Sequence, residues 1–69
     1  MDWLKNKRTE KGMSQQAVAE SAQIARGAYS NIENGERRPS VEVAKRIGSV
    51  LGFPWTRFFE SEEEAGESA

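Results

Sequence analysis

The sequence predicts an all-α domain of five short helices, and three observations carry that prediction. Glycines at 12, 35 and 52 each follow a polar or amphipathic run, where a left-handed residue closes a helix. Serines at 14 and 40 each stand directly before such a run, the place of an N-cap. Nowhere does the chain alternate apolar and polar residues with the period of two that a half-buried strand requires.

The first helix is expected from about Asp2 to Lys11, with Asp2 as its N-cap and Leu4 as its clearest apolar anchor. Ser14 caps a second helix, Gln15 to Ala22, whose Val18, Ala19 and Ala22 face inward. A turn of Gln23, Ile24 and Ala25 leads to a third, Arg26 to Asn34. In the next loop Pro39 biases Arg38 away from the helical region, and Ser40 caps a fourth helix, Val41 to Leu51. Apolar residues at 44, 47 and 51, with Gly48 between, give that helix one buried stripe. Phe53-Pro54 opens a fifth, short helix through Phe59. Residues 1–59 therefore read as one folded domain, and residues 60–69 as an acidic tail of low apolar content, expected to be disordered.

A chain of 69 residues is one domain with a modest core, a limit that pairing with a second copy relieves. It has no cysteine and no histidine. Disulfides, thiolate metal sites, the commonest metal ligand and the commonest general base are thereby removed. With no glycine-rich phosphate loop either, the residues argue against an enzyme and imply no cofactor, metal or small-molecule ligand. The start, Met1-Asp2-Trp3-Leu4-Lys5, has no long apolar stretch, so a soluble cytoplasmic protein is expected. The net charge of −1 hides an asymmetry. All ten Lys and Arg residues fall within residues 1–59 beside six acids, a net +4, while residues 60–69 hold five glutamates. Polyanion binding depends on where charge sits, so a basic folded part matters more than the sum.

Two short helices joined by about three residues form a helix-turn-helix when the second can lie in a DNA major groove. That geometry needs a small inward residue on the first helix, which Ala19 supplies, and an apolar plug beneath the turn, which Ile24 supplies. On the second helix Ile32, Tyr29 and Ala28 are expected to point inward, leaving Arg26, Gly27, Ser30 and Asn31 outward.

The run Met13-Ser14-Gln15-Gln16-Ala17-Val18-Ala19, then Ile24-Ala25-Arg26, then Ile32-Glu33-Asn34-Gly35-Glu36-Arg37-Arg38-Pro39-Ser40, resembles the phage repressor and Cro-type (Xre-like) helix-turn-helix regulators. The resemblance covers roughly residues 3–59, and the Ile-Glu-Asn-Gly segment followed by basic residues and Pro-Ser is its most specific part. It implies a compact five-helix lambda-repressor-like domain and a set of roles. Arg26, Gly27, Ser30 and Asn31 fall on base-reading positions, with Arg26 suited to guanine and Asn31 to adenine. Gln15, Asn34, Arg37 and Arg38 match positions that contact the DNA backbone. Arg8 and Glu33 match an ion pair joining the first and third helices, a structural feature. In related repressors the fourth and fifth helices make a two-fold contact, which assigns Trp55 and Phe59 to a homodimer interface.

The sequence departs from that pattern at Gln23, where the turn usually has glycine, and at Ala25, where the recognition helix usually has a Ser or Thr cap. Lys7 stands where an apolar residue is common, and Pro54 where a polar cap often opens the fifth helix. The implied function is a sequence-specific DNA-binding regulator, a dimeric repressor of phage or mobile-element type on a pseudo-palindromic operator. An antitoxin or a restriction-modification controller would use the same residues, and only the neighbouring gene separates them. A protein-interaction module without DNA binding is the reading of a different class, and the basic loop beside the third helix argues against it.

Overall fold

The computed structural model describes residues 2–60. Four α-helices follow one another: α1 (Asp2–Glu10), α2 (Gln15–Ser21), α3 (Arg26–Glu33) and α4 (Val41–Leu51). A 3-10 turn, Trp55–Phe59, closes the fold. Among the described residues there is no strand, and no helix is long and apolar enough to cross a membrane. The acidic tail, apart from Glu60, lies outside the described residues.

The expected fifth helix is thus corrected to a 3-10 turn, and the helix count among the described residues to four. Gly52 reverses the chain in the left-handed region (φ 78°), and Pro54 is extended and has no N–H to give. Residues 55–59 then wind in the tighter 3-10 register. The Arg57 amide donates to the Pro54 carbonyl three residues back, at 3.0 Å. Aromatic packing holds this segment in place. Trp3 of α1 meets Phe53 edge-on at 5.1 Å between centroids and Phe58 at 5.2 Å, and Phe53 and Phe58 lie 5.4 Å apart.

The helix starts follow local chemistry. Ser14 Oγ accepts from the Ala17 amide at 3.0 Å, and Ser40 Oγ accepts from the Val43 amide at 3.2 Å. α3 begins at Ala25 without a side-chain cap. The ends of α1, α2 and α3 share one pattern, in which the two residues after the cap donate back into the last turn. Gln23 donates to the Glu20 carbonyl and Ile24 to that of Ala19, as Gly12 and Met13 donate to Thr9 and Arg8.

That pattern needs a left-handed residue. Glycine supplies it after α1 and α3, but Gln23 supplies it after α2 at φ 62°. A side chain there costs about 1–2 kcal/mol, partly offset by the extra freedom glycine has when unfolded. Gln23→Gly is therefore expected to stabilise the fold by about 0.5–1 kcal/mol, read as a rise of several degrees in melting temperature. No rise would mean that the turn carries no strain.

Leu4, Val18, Ala19, Tyr29, Ile32, Ala44, Ile47 and Leu51 form the buried centre, with Phe53 and Phe58 at its C-terminal edge. α2 lies against both α3 and α4, α1 against α3, and α4 carries the 3-10 turn. The turn residue Ile24 is half-buried against this core. Burying this apolar surface is the main force holding helices that would be too short to persist alone.

Candidate nucleic-acid interface

α2, the Gln23–Ala25 turn and α3 form the helix-turn-helix. Val18, Ala19 and Ala22 face the same core as Tyr29 and Ile32, so α3 has one buried edge. Its opposite edge is open: Arg26, Gly27 and Asn31 are exposed and Ser30 is half-buried. At about 100° per residue these four positions share one face of the helix. Ala28, expected inward, is half-buried. Nothing lies within 4 Å of a Cβ added at Gly27, so this face is not crowded by the protein's own atoms.

Asn34 caps the C-terminus of α3 and is exposed, as are Arg37 and Arg38 in the loop that follows. The Arg37 amide donates to the Asn31 carbonyl at 3.2 Å, which ties the loop to α3. A groove of about 430 Å³ runs between α3 and α4, with Ile24, Ala28, Ile32 and Val43 on its floor and Arg37 and Arg38 beside it. Exposed charge and an exposed polar helix edge are thus contiguous.

Arg8 and Glu33, 25 residues apart, meet in a two-point contact. Arg8 Nε donates to Glu33 Oε2 at 2.9 Å and Nη2 to Oε1 at 3.1 Å. The third nitrogen, Nη1, donates to the Met13 carbonyl at 2.9 Å. The side chains retain 12% and 5% of their exposure, so the pair is largely shielded. Burial is the largest single influence and would raise the Glu33 pKa, but the hydrogen-bonding neighbours, Arg8 foremost, together with the Arg8 charge outweigh it and hold the carboxyl below its ordinary value. Gln15, at the start of α2, is half-buried and donates from Nε2 to Glu33 Oε1 at 3.1 Å. Tyr29 is wholly buried beside this group, and burial pushes its phenol well above the usual range. With its hydroxyl inside, Tyr29 is a packing residue.

The C-terminal aromatics are partly enclosed. Trp55 and Phe59 are each half-buried and pack on one another at 6.0 Å. Lys45 Nζ lies 5.4 Å from the centre of the Trp55 ring, and the Arg57 guanidinium lies 4.7 Å from that of Trp3. Both are cation–π contacts. Lys45 thereby covers one side of Trp55. Sequence reasoning gave Asp2 a capping role alone and gave Lys5 none. With Arg8 they recur every third residue along α1, and they line a polar hollow beside Gln15 and Asn34. That spacing was the available signal.

The fold, with this open edge of α3 beside exposed arginines, defines a helix-turn-helix protein. The family model described as helix-turn-helix matches residues 4–58, and the chain belongs to that family. It is similar to the "Uncharacterized HTH-type transcriptional regulator YqaF" of Bacillus subtilis (strain 168). The two are 60% identical over 58 residues, 84% of this chain and 76% of that protein.

Proposed function

We propose that this chain is a sequence-specific DNA-binding transcriptional regulator that acts as a dimeric repressor in the cytoplasm. The observation that carries the reading is the open edge of α3, contiguous with the exposed Asn34, Arg37 and Arg38, in a chain of the helix-turn-helix family. The similarity to a protein named as a transcriptional regulator supports it.

In this reading α3 enters the major groove. Arg26 pairs with guanine O6 and N7, Asn31 with adenine N6 and N7, Ser30 reads with less discrimination, and Gly27 lets the helix backbone come close. Gln15, Asn34, Arg37 and Arg38 hold the phosphates and set the register. The Arg8–Glu33 pair contacts no DNA, but it holds α1 to α3 and steadies Gln15. Two copies joined through Trp55 and Phe59 set their recognition helices about one DNA turn apart, roughly 34 Å, which calls for a pseudo-palindromic operator.

Selection of binding sites from random duplex DNA tests this, followed by affinity measurements for wild type and Arg26→Ala. A two-fold-symmetric site is expected, and Arg26→Ala should lose about 1–3 kcal/mol with relaxed preference at one base pair per half-site. If no sequence is enriched and binding stays weak and purely salt-driven, operator reading fails and a protein-interaction role takes its place.

A further inference from the structure

Three exposed arginines border the outer side of α3: Arg26 at its start, and Arg37 and Arg38 beside the groove of about 430 Å³ that α3 shares with α4. Neither Arg26 nor Arg37 meets a carboxylate among the described residues. Between Arg26 and Ser40 the sequence holds two acids, Glu33 and Glu36. Glu33 is turned to Arg8, which leaves Glu36 as the exposed acid beside three guanidinium groups. The other cations are placed differently. Lys45 and Arg57 lie over the rings of Trp55 and Trp3, Arg46 is bridged to Glu42 at 2.7 Å, and Lys5 shares its hollow with Asp2. Lys7 is half-buried on α1, and Lys11 lies beside Gly52 at the end of α4.

The complementary charge belongs to the same chain. Residues 61–69 hold four glutamates, Glu62, Glu63, Glu64 and Glu67, and no Lys or Arg. They follow closely on the 3-10 turn, whose Phe58 ring is 5.2 Å from that of Trp3. Asp2, next to Trp3, lines one hollow with Asn34, which stands three residues before Arg37. The path from the turn to the arginines thus crosses a few neighbouring residues, and a nine-residue segment extends to about 30 Å. An extended chain advances about 3.3–3.6 Å per residue, close to the 3.4 Å between phosphates along one DNA strand. Three successive carboxylates therefore carry a charge density like that of the polyanion.

We propose that the acidic segment 61–69 docks on the Arg26, Arg37 and Arg38 edge of its own chain and stands in the place of DNA phosphates until a duplex displaces it. The competing role rests on the DNA-binding reading above, whereas the docking does not. Each exposed ion pair is weak and screened by salt. Tethering compensates, because a short linker keeps the segment at millimolar effective concentration. The segment weakens binding to every duplex by a common factor and leaves base preference unchanged.

The test compares the full chain with a variant combining Glu62→Gln, Glu63→Gln, Glu64→Gln and Glu67→Gln, first without DNA. Backbone amide shifts in NMR spectra are expected to differ between the two at residues 26–38. The difference should vanish at about 0.5 M salt and be independent of protein concentration. In duplex binding near 0.1 M salt the Gln variant should gain about two- to tenfold in affinity. Removing four charges also strengthens binding at long range without any docking, so coupling to Arg37 decides. In an Arg37→Ala background the gain should shrink, while in a Lys11→Ala background it should be unchanged. Melting curves establish that each variant is folded.

Shift differences that are absent, or spread evenly over Lys5, Lys11 and Lys45, overturn the docking. Differences that grow with protein concentration place the segment on a second copy and overturn it as well. If Arg37→Ala weakens duplex binding but the gain is the same in both backgrounds, the effect is long-range charge alone; the proposal fails and the DNA-binding reading stands. If neither Arg37→Ala nor the Gln variant alters duplex affinity, the DNA-binding reading fails and the competing role with it, whatever the amide shifts show.

Discussion

Glu33→Ala is expected to cost about 3–5 kcal/mol, enough to unfold much of the population, since a chain of this length holds only about 3–10 kcal/mol in total. Removing the carboxylate strands the Arg8 guanidinium in a site where it keeps 12% of its exposure, with the Met13 carbonyl as its remaining partner. Gln15 loses its contact in the same step, so α1, α2 and α3 are loosened together. Urea denaturation measures this, and a double variant separates its causes. Arg8→Met combined with Glu33→Leu should cost far less than Glu33→Ala, because no charge is then left unpaired. A Glu33→Ala loss below about 1 kcal/mol would mean that the pair behaves like one on the surface. The sign of the pH dependence follows from the lowered Glu33 pKa. The folded chain takes up this proton later than the unfolded chain, so the contribution is complete above the ordinary value of 4.5. It is lost as pH falls from there through the folded value. In Glu33→Gln that component of acid destabilisation should vanish.

The legible parts of this fold were those written in neighbouring residues. Ser14 and Ser40 mark the starts of α2 and α4 because a cap bonds an amide three residues on, and the bounds of α4 coincide with expectation. The glycines at 12, 35 and 52 all take positive φ because each closes a helix from within the same few residues. The fifth helix failed because composition alone does not distinguish i→i−3 from i→i−4 bonds. Contacts of Phe53 and Phe58 with Trp3, some fifty residues away, hold that segment. The candidate site divides along the same line. The outward stripe of Arg26, Gly27, Ser30 and Asn31 was readable from helical periodicity. The meeting of Arg8 with Glu33 came only through the family resemblance, and the Gln15–Glu33 bond was not foreseen at all. The hollow beside Lys5 depends on the mutual placement of three helices, which no local pattern encodes. Lys45 shows the same limit, since its partner ring at Trp55 lies on another element.

Gly48→Ala should destabilise the fold by about 2–3 kcal/mol, although alanine is ordinarily the better residue inside a helix by about 1 kcal/mol. A Cβ at position 48 would stand 2.6 Å from the Phe53 carbonyl oxygen and 3.3 Å from the Trp55 amide nitrogen. Both are backbone atoms, so no rotamer change relieves the clash. The Gly48 carbonyl also accepts from the Gly52 amide at 2.8 Å and the Phe53 amide at 3.0 Å. The helix end and the segment that folds back over it are therefore built on one residue. Making room means moving residues 53–59 outward, which opens the Trp3–Phe53–Phe58 cluster and draws Trp55 away from Lys45. Gly27 is the internal comparison, since the same substitution meets nothing within 4 Å there and should raise stability by about 1 kcal/mol. Opposite signs for one substitution at two helical glycines would isolate the steric cause. Because the displaced segment carries Trp55 and Phe59, the proposed pairing surface, Gly48→Ala should also weaken dimers in sedimentation measurements even where the monomer remains folded. A Gly48→Ala protein as stable as wild type would mean instead that residues 53–59 shift freely and form no fixed platform for a second copy.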